Sequence, residues 1–488
     1  MVEAVANTQK KRKLGSLDSF VTKHPLGVLP KGNALMLMGG NDTALRLQTL
    51  GPYFGSLPEE ILMAILQEIE SPLDLLHTGY ACKALYAYSS FDELWKLMMY
   101  NQKHVPEAWY GSWRRSFWGL GAVSDGQKDV DSSRIVDCSG VVYSDFLFRP
   151  FQCSQIDYTK LIGSEEHISK RQNIHCFESE SEISCEQFDS EWHNKPFMVQ
   201  LKERIADWTM DQLLEVFGDT IFYQEYMSWK LKVYAQYMES NQDESPLYLF
   251  DCKSSALKSL KYQVPLADIF DNERDWFNLF GNQRPDYRWL IIGCGRSGSG
   301  FHKDPNGTSA WNSIVSGGSK YWIMFPPDSP PPGVTVDGEL ESEVTAPVSV
   351  AEWFLGGFYE QARRQPGFHE GICHVGQAMY VPAGWWHLVV NLDTSIAMTG
   401  NFVPNPKLPF VLDFLKNKSD QISGFKNELD CKDVFDRLKT LIASKSPETL
   451  ATALEGVQKI ENARNSKGKW HTLIDSEESS SFSFNFDE

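Results

Sequence analysis

The sequence predicts an α+β chain in which a β-rich barrel or jelly roll over residues 191–407 is flanked by helical segments. Three observations carry this. Between "NKPFMVQ" and "NFVPNP", short runs rich in β-branched and aromatic residues ("RWLIIGC", "KYWIMFP", "AMYVP", "HLVVNL") are separated by Gly, Pro and Asn turns. In residues 51–100, around 205–240 and over 408–470, apolar residues recur at helical spacing instead. With 42% hydrophobic and 13% aromatic content in 488 residues, the chain can bury a large core and more than one domain.

The first fifty residues read as a flexible arm whose cluster Lys10, Lys11, Arg12, Lys13 has the composition of a nuclear import signal. No apolar run approaches the ~18 residues of a membrane span, and the opening lacks a secretory core, so the expected location is nucleus or cytoplasm. Residues 51–100 then predict three short helices. Ser56 and Glu59 have the spacing of a capping box, and Ile61, Leu62, Ile65, Leu66 and Ile69 share one helical face. "SPLD" restarts a helix, and Ser90 or Asp92 can cap the last one. This stretch resembles an F-box in Leu57-Pro58, the Ile/Leu stripe, Cys82-Lys83 and Leu94-Trp95. The resemblance implies docking on a Skp1-type adaptor of cullin ubiquitin ligases through residues 57–100.

Residues 101–190 read as a connector rich in large aromatics (Trp109, Trp113, Trp118) followed by a polar Ser/Glu-rich insertion from 154 onward. The end, residues 471–488, reads as an acidic serine-rich disordered tail. Nine cysteines without a Cys-x-x-Cys pair indicate reduced thiols, neither zinc finger nor disulfide framework. A formal charge of −18 opposes broad nucleic-acid backbone binding and suits a basic protein or peptide as partner.

The chemistry is concentrated in "FHKDPNGTSAWN". Side chains two apart on an extended chain point to one face, so His302 and Asp304 can share a metal. His387, after the Pro-Ala-Gly turn of "VPAGWWHLVV", is the natural third ligand. Two imidazoles and a carboxylate on one face leave the opposite metal positions open, as an iron(II) oxygenase requires. His369 and His374, in a loop, read as ordinary surface or core residues, and Trp385 is expected to border the substrate mouth.

The segments "SPLYLFD", "YRWLIIG", "RSGSGFHKDPNGTSAWN", "KYWIMFP" and "VPAGWWHLVVNLDTSIAMTGNF", in this order, resemble the JmjC domain, a cupin-like double-stranded β-helix. The similarity is strongest to the branch containing a lysyl-hydroxylase and proposed arginine demethylase. It implies that His302, Asp304 and His387 bind Fe(II), that 2-oxoglutarate and O2 are consumed, and that a protein side chain, lysyl by analogy with that branch, is hydroxylated. Hydroxylation of an N-methyl group would make the protein a histone lysine or arginine demethylase instead. A third reading is a substrate adaptor whose oxygenase barrel is vestigial. The far carboxylate of 2-oxoglutarate needs a buried cation, for which Lys320 is the candidate, and the family pattern adds Ser299, Asn312, Thr399 and Tyr248. Serine at 299 replaces the usual threonine, and the turn before Lys320 is one residue longer than usual.

Overall fold

The computed structural model describes residues 23–31, 42–119, 136–202, 208–224, 227–260, 264, 266–338, 341, 343–426 and 429–478. The basic cluster at 10–13 lies outside them. The chain divides into two units, residues 1–156 with 242–244, and residues 157–241 with 245–488.

The first unit is helical: α1 (Asp42–Phe54), α2 (Glu59–Gln67), α3 (Pro72–Gly79), α4 (Lys83–Ser89), α5 (Asp92–Gln102), α6 (Trp113–Phe117) and α7 (Asp145–Ser154). Four helices, α2 to α5, stand where three were expected, because the chain also breaks at Tyr80–Cys82, where Cys82 caps α4; two of the expected caps differ as well. Ser71 caps α3, accepting from Asp74 N at 3.3 Å. The capping box of α2 does not form: Ser56 donates to the carbonyls of Pro52 and Tyr53, while Glu59 turns inward to receive the Tyr88 hydroxyl and to pair with Lys31 at 2.8 Å. A buried carboxylate gains more from these partners than from one terminal N–H. Likewise neither Ser90 nor Asp92 caps α5; the Asp92 carboxylate accepts from Trp113 N and Arg114 N, and so anchors α6.

The apolar stripe of α2 splits into two faces. Leu62 and Leu66 join Leu75, Leu85, Trp95 and Met99 in the core, whereas Ile61 (48% exposed) and Ile65 (40%), with Pro58 and Leu73, stay at the surface. Trp113 is fully buried against Trp109, ring to edge at 5.1 Å, and its indole N–H donates to Asp243 at 2.9 Å. The connector tryptophans therefore pack within this unit.

Strands of the second unit are β1 (His175–Phe177), β2 (Phe197–Gln200), β3 (Ile221–Gln224), β4 (Met227–Lys230), β5 (Leu249–Asp251), β6 (Arg288–Gly293), β7 (Gly298–His302), β8 (Ser309–Gly317), β9 (Lys320–Phe325), β10 (Thr335–Val336), β11 (Val344–Thr345), β12 (His369–Cys373), β13 (Gln377–Val381), β14 (Trp386–Asn391) and β15 (Ser395–Phe402). They form a seven-stranded sheet ordered β1-β2-β13-β8-β15-β6-β5, a four-stranded sheet ordered β12-β9-β14-β7, and two hairpins, β3-β4 and β10-β11. Met198, Ile314 and Met379 of the large sheet pack against Trp322, Met324 and Val389 of the small one. The expected barrel is not closed. The strands fall into two separate sheets whose inner faces pack side chain to side chain, and the β12 edge of the small sheet is met by the segment leading into β1, with Asn173 N and Ile174 N donating to Glu370 O.

Three boundaries differ from expectation. The arm does not extend to residue 50: α1 begins at Asp42, and Val28 is fully buried beside the bridge of Leu29 to Tyr143. Residues 154–190 are not a loop: after short helices at Tyr158–Ile162 and Glu165–Arg171, β1 adds parallel to β2 and extends the large sheet. Their polar composition reflects short helices with few buried positions, Tyr158 and Ile162 in the first and Ile168 in the second. At the other end the last helix runs Pro447–Glu478, into the segment read as a disordered tail; residues 479–488 lie outside the described ones. Helix Leu408–Asn417 packs with Val434, Leu438, Ile442, Ala453 and Val457 into a second core. Two left-handed glycines let this helix approach the sheets. A Cβ on Gly384 (φ 78°) would stand 2.5 Å from Phe410 Cζ, and one on Gly307 (φ 66°) would stand 3.2 Å from Phe414 Cβ.

Candidate metal centre and cosubstrate pocket

Strand register brings the predicted ligands together. In the antiparallel β7–β14 pair His302 lies directly opposite His387, with ring centroids 4.1 Å apart. Each ring's Nδ1 meets a carbonyl two residues back, Gly300 O at 2.8 Å for His302 and Trp385 O at 3.1 Å for His387. A carbonyl can only accept, so Nδ1 carries the proton and each Nε2 lone pair is turned to the site. Burial, and then the neighbouring His302, push His387 down to about 4, which keeps it neutral. Asp304 occupies the cap position of the turn Pro305–Gly307 without spending its carboxylate there. Its Oδ2 is buried with no hydrogen-bond partner, 3.9 Å from His387 Nε2.

One donor atom from each of the three lies within 4.8 Å of the other two. Two imidazoles and an orphaned carboxylate oxygen, converging from one side, fit a divalent iron held on one face. His369 is not of this group; it packs against Trp385 and meets Gly367 O.

A cavity of about 210 Å³ meets the three ligands and is walled by Tyr248, Ser299, Asn312 and Thr399. Thr399 and Asn312 face each other across the β15–β8 pair. Asn312 Oδ1 is buried without a partner, whereas Thr399 already donates its hydroxyl to Trp311 O at 2.7 Å. Lys320 stands behind Tyr248, fully buried, donating to the Tyr248 hydroxyl and to Asn391 Oδ1 at 2.8 Å. The turn before Lys320 passes through Gly317 (φ 89°) and Gly318, and the lysine is fully buried. No carboxylate pairs with Lys320 among the described residues, and burial pushes its ammonium down to about 7. A buried cation with only neutral partners is a site for an anion, which suits the far carboxylate of 2-oxoglutarate.

A second cavity, of about 640 Å³, reaches His302 and Asp304 from another side. Trp386, Phe410 and Phe414 line it; Trp385, expected at the mouth, is instead in the core between the sheets. Trp385 closes the Pro382 turn and Trp386 opens β14, so the two rings go to different sides of the chain. Lys303 lies over the Trp386 ring at 4.5 Å and pairs at 2.6 Å with Glu341, to which Lys418 also reaches at 3.5 Å.

Comparison with known proteins agrees with this geometry. Residues 175–407 match the family described as Cupin-like domain, while the N-terminal helices lie outside that match. The chain is 33% identical to "Arginine-specific demethylase JMJ22" of Arabidopsis thaliana over 94% of this chain and 88% of that one. It is 31% identical to "Lysine-specific demethylase JMJ21" of the same plant, over 73% of this chain but only 37% of the relative. "Bifunctional arginine demethylase and lysyl-hydroxylase psr-1" of Caenorhabditis elegans is 35% identical over 36% of this chain and 44% of its own length. The chain belongs to the JmjC-type family of 2-oxoglutarate- and iron-dependent oxygenases. It is an enzyme of that class, and Fe(II), 2-oxoglutarate and O2 are its cofactor and cosubstrates.

Sequence reasoning missed Asn391, although a signal was present: positions 387, 389 and 391 share one face of β14. It also missed Glu341, Phe410 and Phe414. The glycines at 307 and 384 hinted at a close approach without saying what approaches.

Proposed function

We propose that the enzyme hydroxylates a basic side chain of a protein, lysyl in the first instance, with His302, Asp304 and His387 holding the iron. The same reading puts 2-oxoglutarate in the smaller cavity, against Tyr248, Ser299, Asn312 and Thr399 with Lys320 behind them, and the substrate in the larger one. When bound, iron(II) with O2 and 2-oxoglutarate supplies the oxidation of a substrate C–H bond, the cosubstrate leaving as succinate and CO2. The chain's own residues orient the substrate and exclude water. The larger cavity carries the substrate assignment, because it already accommodates a lysine: Lys303 lies between the Trp386 ring and the Glu341 carboxylate. An incoming cationic side chain would take this aromatic face and anion by displacing Lys303 from them.

A second reading, removal of an N-methyl group from arginine, is favoured by one observation: the relative matched over 94% of this chain is named for that activity. The two differ only in the carbon attacked. Intact-mass analysis of basic peptides, methylated and not, incubated with enzyme, Fe(II), 2-oxoglutarate and O2 separates them. Gain of one oxygen supports hydroxylation; loss of a methylene unit supports demethylation; succinate formation unaffected by any peptide would defeat both. A vestigial oxygenase finds no support in a site that keeps all three donors.

We further propose that the N-terminal helices serve as an F-box, docking a Skp1-type adaptor on the surface carrying Pro58, Ile61, Ile65 and Leu73. Large apolar side chains exposed on neighbouring helices support this reading. Changing Ile61 and Ile65 together to Asp is expected to abolish co-purification with Skp1; retained binding rejects the assignment.

A further inference from the structure

Lys320 is held in an unusual way. Full burial of an ammonium is normally answered by a carboxylate, because the lost hydration must be replaced by charge as well as hydrogen bonds. Here its two partners are the Tyr248 hydroxyl and the Asn391 amide oxygen, both neutral. Asn391 faces Lys320 directly in the β14–β9 register and is itself fully buried.

The amide has one possible orientation. Its Oδ1 accepts from Lys320 and from Ser395 Oγ at 2.8 Å, and its Nδ2 donates to Ser297 Oγ at 2.8 Å. The Ser297 hydroxyl donates a hydrogen bond to Cys294 O at 2.6 Å, so its oxygen is free to accept from the amide. Turned over, the amide would aim N–H groups at an ammonium and at a hydroxyl donor. Space is made for the arrangement at Gly293, where a Cβ would stand 2.3 Å from Ser297 Oγ, 2.6 Å from the Tyr248 ring and 2.8 Å from Asn391 Nδ2. An aspartate has nearly the same shape as asparagine and would fill the position, giving Lys320 a permanent counter-ion.

We propose that Asn391 is a positioning residue for cosubstrate recognition: it holds Lys320 through a neutral acceptor, so that the positive charge is aimed but left uncompensated for the far carboxylate of 2-oxoglutarate. The inference rests on the assignment of the smaller cavity to that cosubstrate. It explains why this buried lysine has an amide where stability alone would favour a carboxylate. Lys320 supplies the charge, and Asn391 supplies its direction without cancelling it.

Equilibrium binding of 2-oxoglutarate to the full chain, with Mn(II) in place of iron so that no turnover occurs, tests this by calorimetry. Three variants are compared with the wild type, and melting temperature is measured on each without cosubstrate. Lys320→Ala is expected to weaken binding strongly. Asn391→Asp, which neutralises Lys320 from within, is expected to bind at least tenfold more weakly than wild type while melting at or above the wild-type temperature. Asn391→Ala loses the acceptor but leaves the charge open, so it should melt lower than Asn391→Asp yet bind 2-oxoglutarate better. That inverse order of stability and affinity is not produced by a merely structural residue. If affinity follows melting temperature, or if Asn391→Asp binds as wild type while Lys320→Ala does not, the role of Asn391 is overturned and the cosubstrate site stands. If Lys320→Ala also binds as wild type, the cosubstrate assignment itself fails.

Discussion

Two clusters of unpartnered groups, one in each unit, are of opposite kinds, although each unit also holds the other kind, such as Trp118 Nε1 buried in the helical unit and Val216 and Val348 exposed in the other. In the helical unit the cluster is apolar and outside: Ile61, Ile65 and Leu73 keep 40 to 52% of their surface in water. In the oxygenase unit it is polar and inside: Asp304 Oδ2 and Asn312 Oδ1 lack hydrogen bonds, and Lys320 lacks a counter-ion among the described residues. Apolar surface in water is relieved by another macromolecule's apolar surface. Buried polar atoms are relieved only by something small enough to enter, an ion or a small anion. The comparison therefore separates the proposed docking surface from the reaction site by what could relieve each, and it can be broken at each point.

The largest effect is expected at Asp304. Asp304→Ala removes the buried, unsatisfied carboxylate and one of three metal donors. Succinate formation should fall by more than about 100-fold, since loss of even a supporting group at a metal site reaches 10–100-fold. The fold should hold, because that oxygen makes no hydrogen bond within the protein. Wild-type turnover in this variant would show that the orphaned carboxylate does not mark the metal.

Next is Lys320→Ala, which should raise the apparent KM for 2-oxoglutarate about 10- to 100-fold, the value of one charge-assisted hydrogen bond, with kcat at saturation changed less. Iron binding should persist, since Lys320 is not one of the converging metal donors. An unchanged KM would move the anion's partner elsewhere. Arg296 is poorly placed to replace it, because its guanidinium is held by Asn241.

What could be read from the sequence follows the same division. His302, Asp304 and His387 were legible because strand periodicity and a turn fix where side chains point, whatever surrounds them. Lys320 was legible because a cation is chemically required. Pairings set by tertiary packing were not. Glu59 has the spacing of a capping residue, yet Tyr88, 29 positions away, claims it. Glu341 meets Lys303 and Lys418 only because the loop between β10 and β11 and the end of helix Leu408–Asn417 converge on one cavity. Open sheets rather than a barrel, and β1 joining from a polar stretch, likewise depend on strand counts and partners that no local pattern contains.

A smaller effect is expected with pH. Burial holds Lys320 at about 7 in the folded protein, below its ordinary 10.5. Between those values the unfolded chain binds a proton that the folded chain does not, so stability without cosubstrate should rise with pH across this window. Cosubstrate affinity should run the other way, because the anion needs the protonated form. Above pH about 7 it should fall by at most about tenfold per unit in the wild type, and this slope should vanish in Lys320→Ala. Calorimetric titrations of 2-oxoglutarate between pH 6 and 9, on wild type and variant at about 0.15 M salt, measure both slopes. Equal slopes would mean that another group titrates.

The smallest expected effect is on turnover when the docking surface is changed. Ile61 and Ile65 are exposed, lie in a unit with its own core, and form no part of either cavity beside the metal donors. Replacing both by Asp puts charges where water already is, so each change should alter stability by no more than about 0.5 kcal/mol. Ile61 lies in the acidic first turn of α2, beside Glu59 and Glu60, where added negative charge does not oppose the helix dipole, whereas Ile65 lies in the last turn, where it opposes it by roughly a few tenths of a kcal/mol at an exposed site. Succinate release by the purified double variant should therefore match the wild type, while its capture of Skp1 is the quantity expected to disappear. A loss of turnover with an unchanged melting temperature would show that the apolar surface serves the reaction site as well, and the two kinds of unpartnered group would then belong to one function.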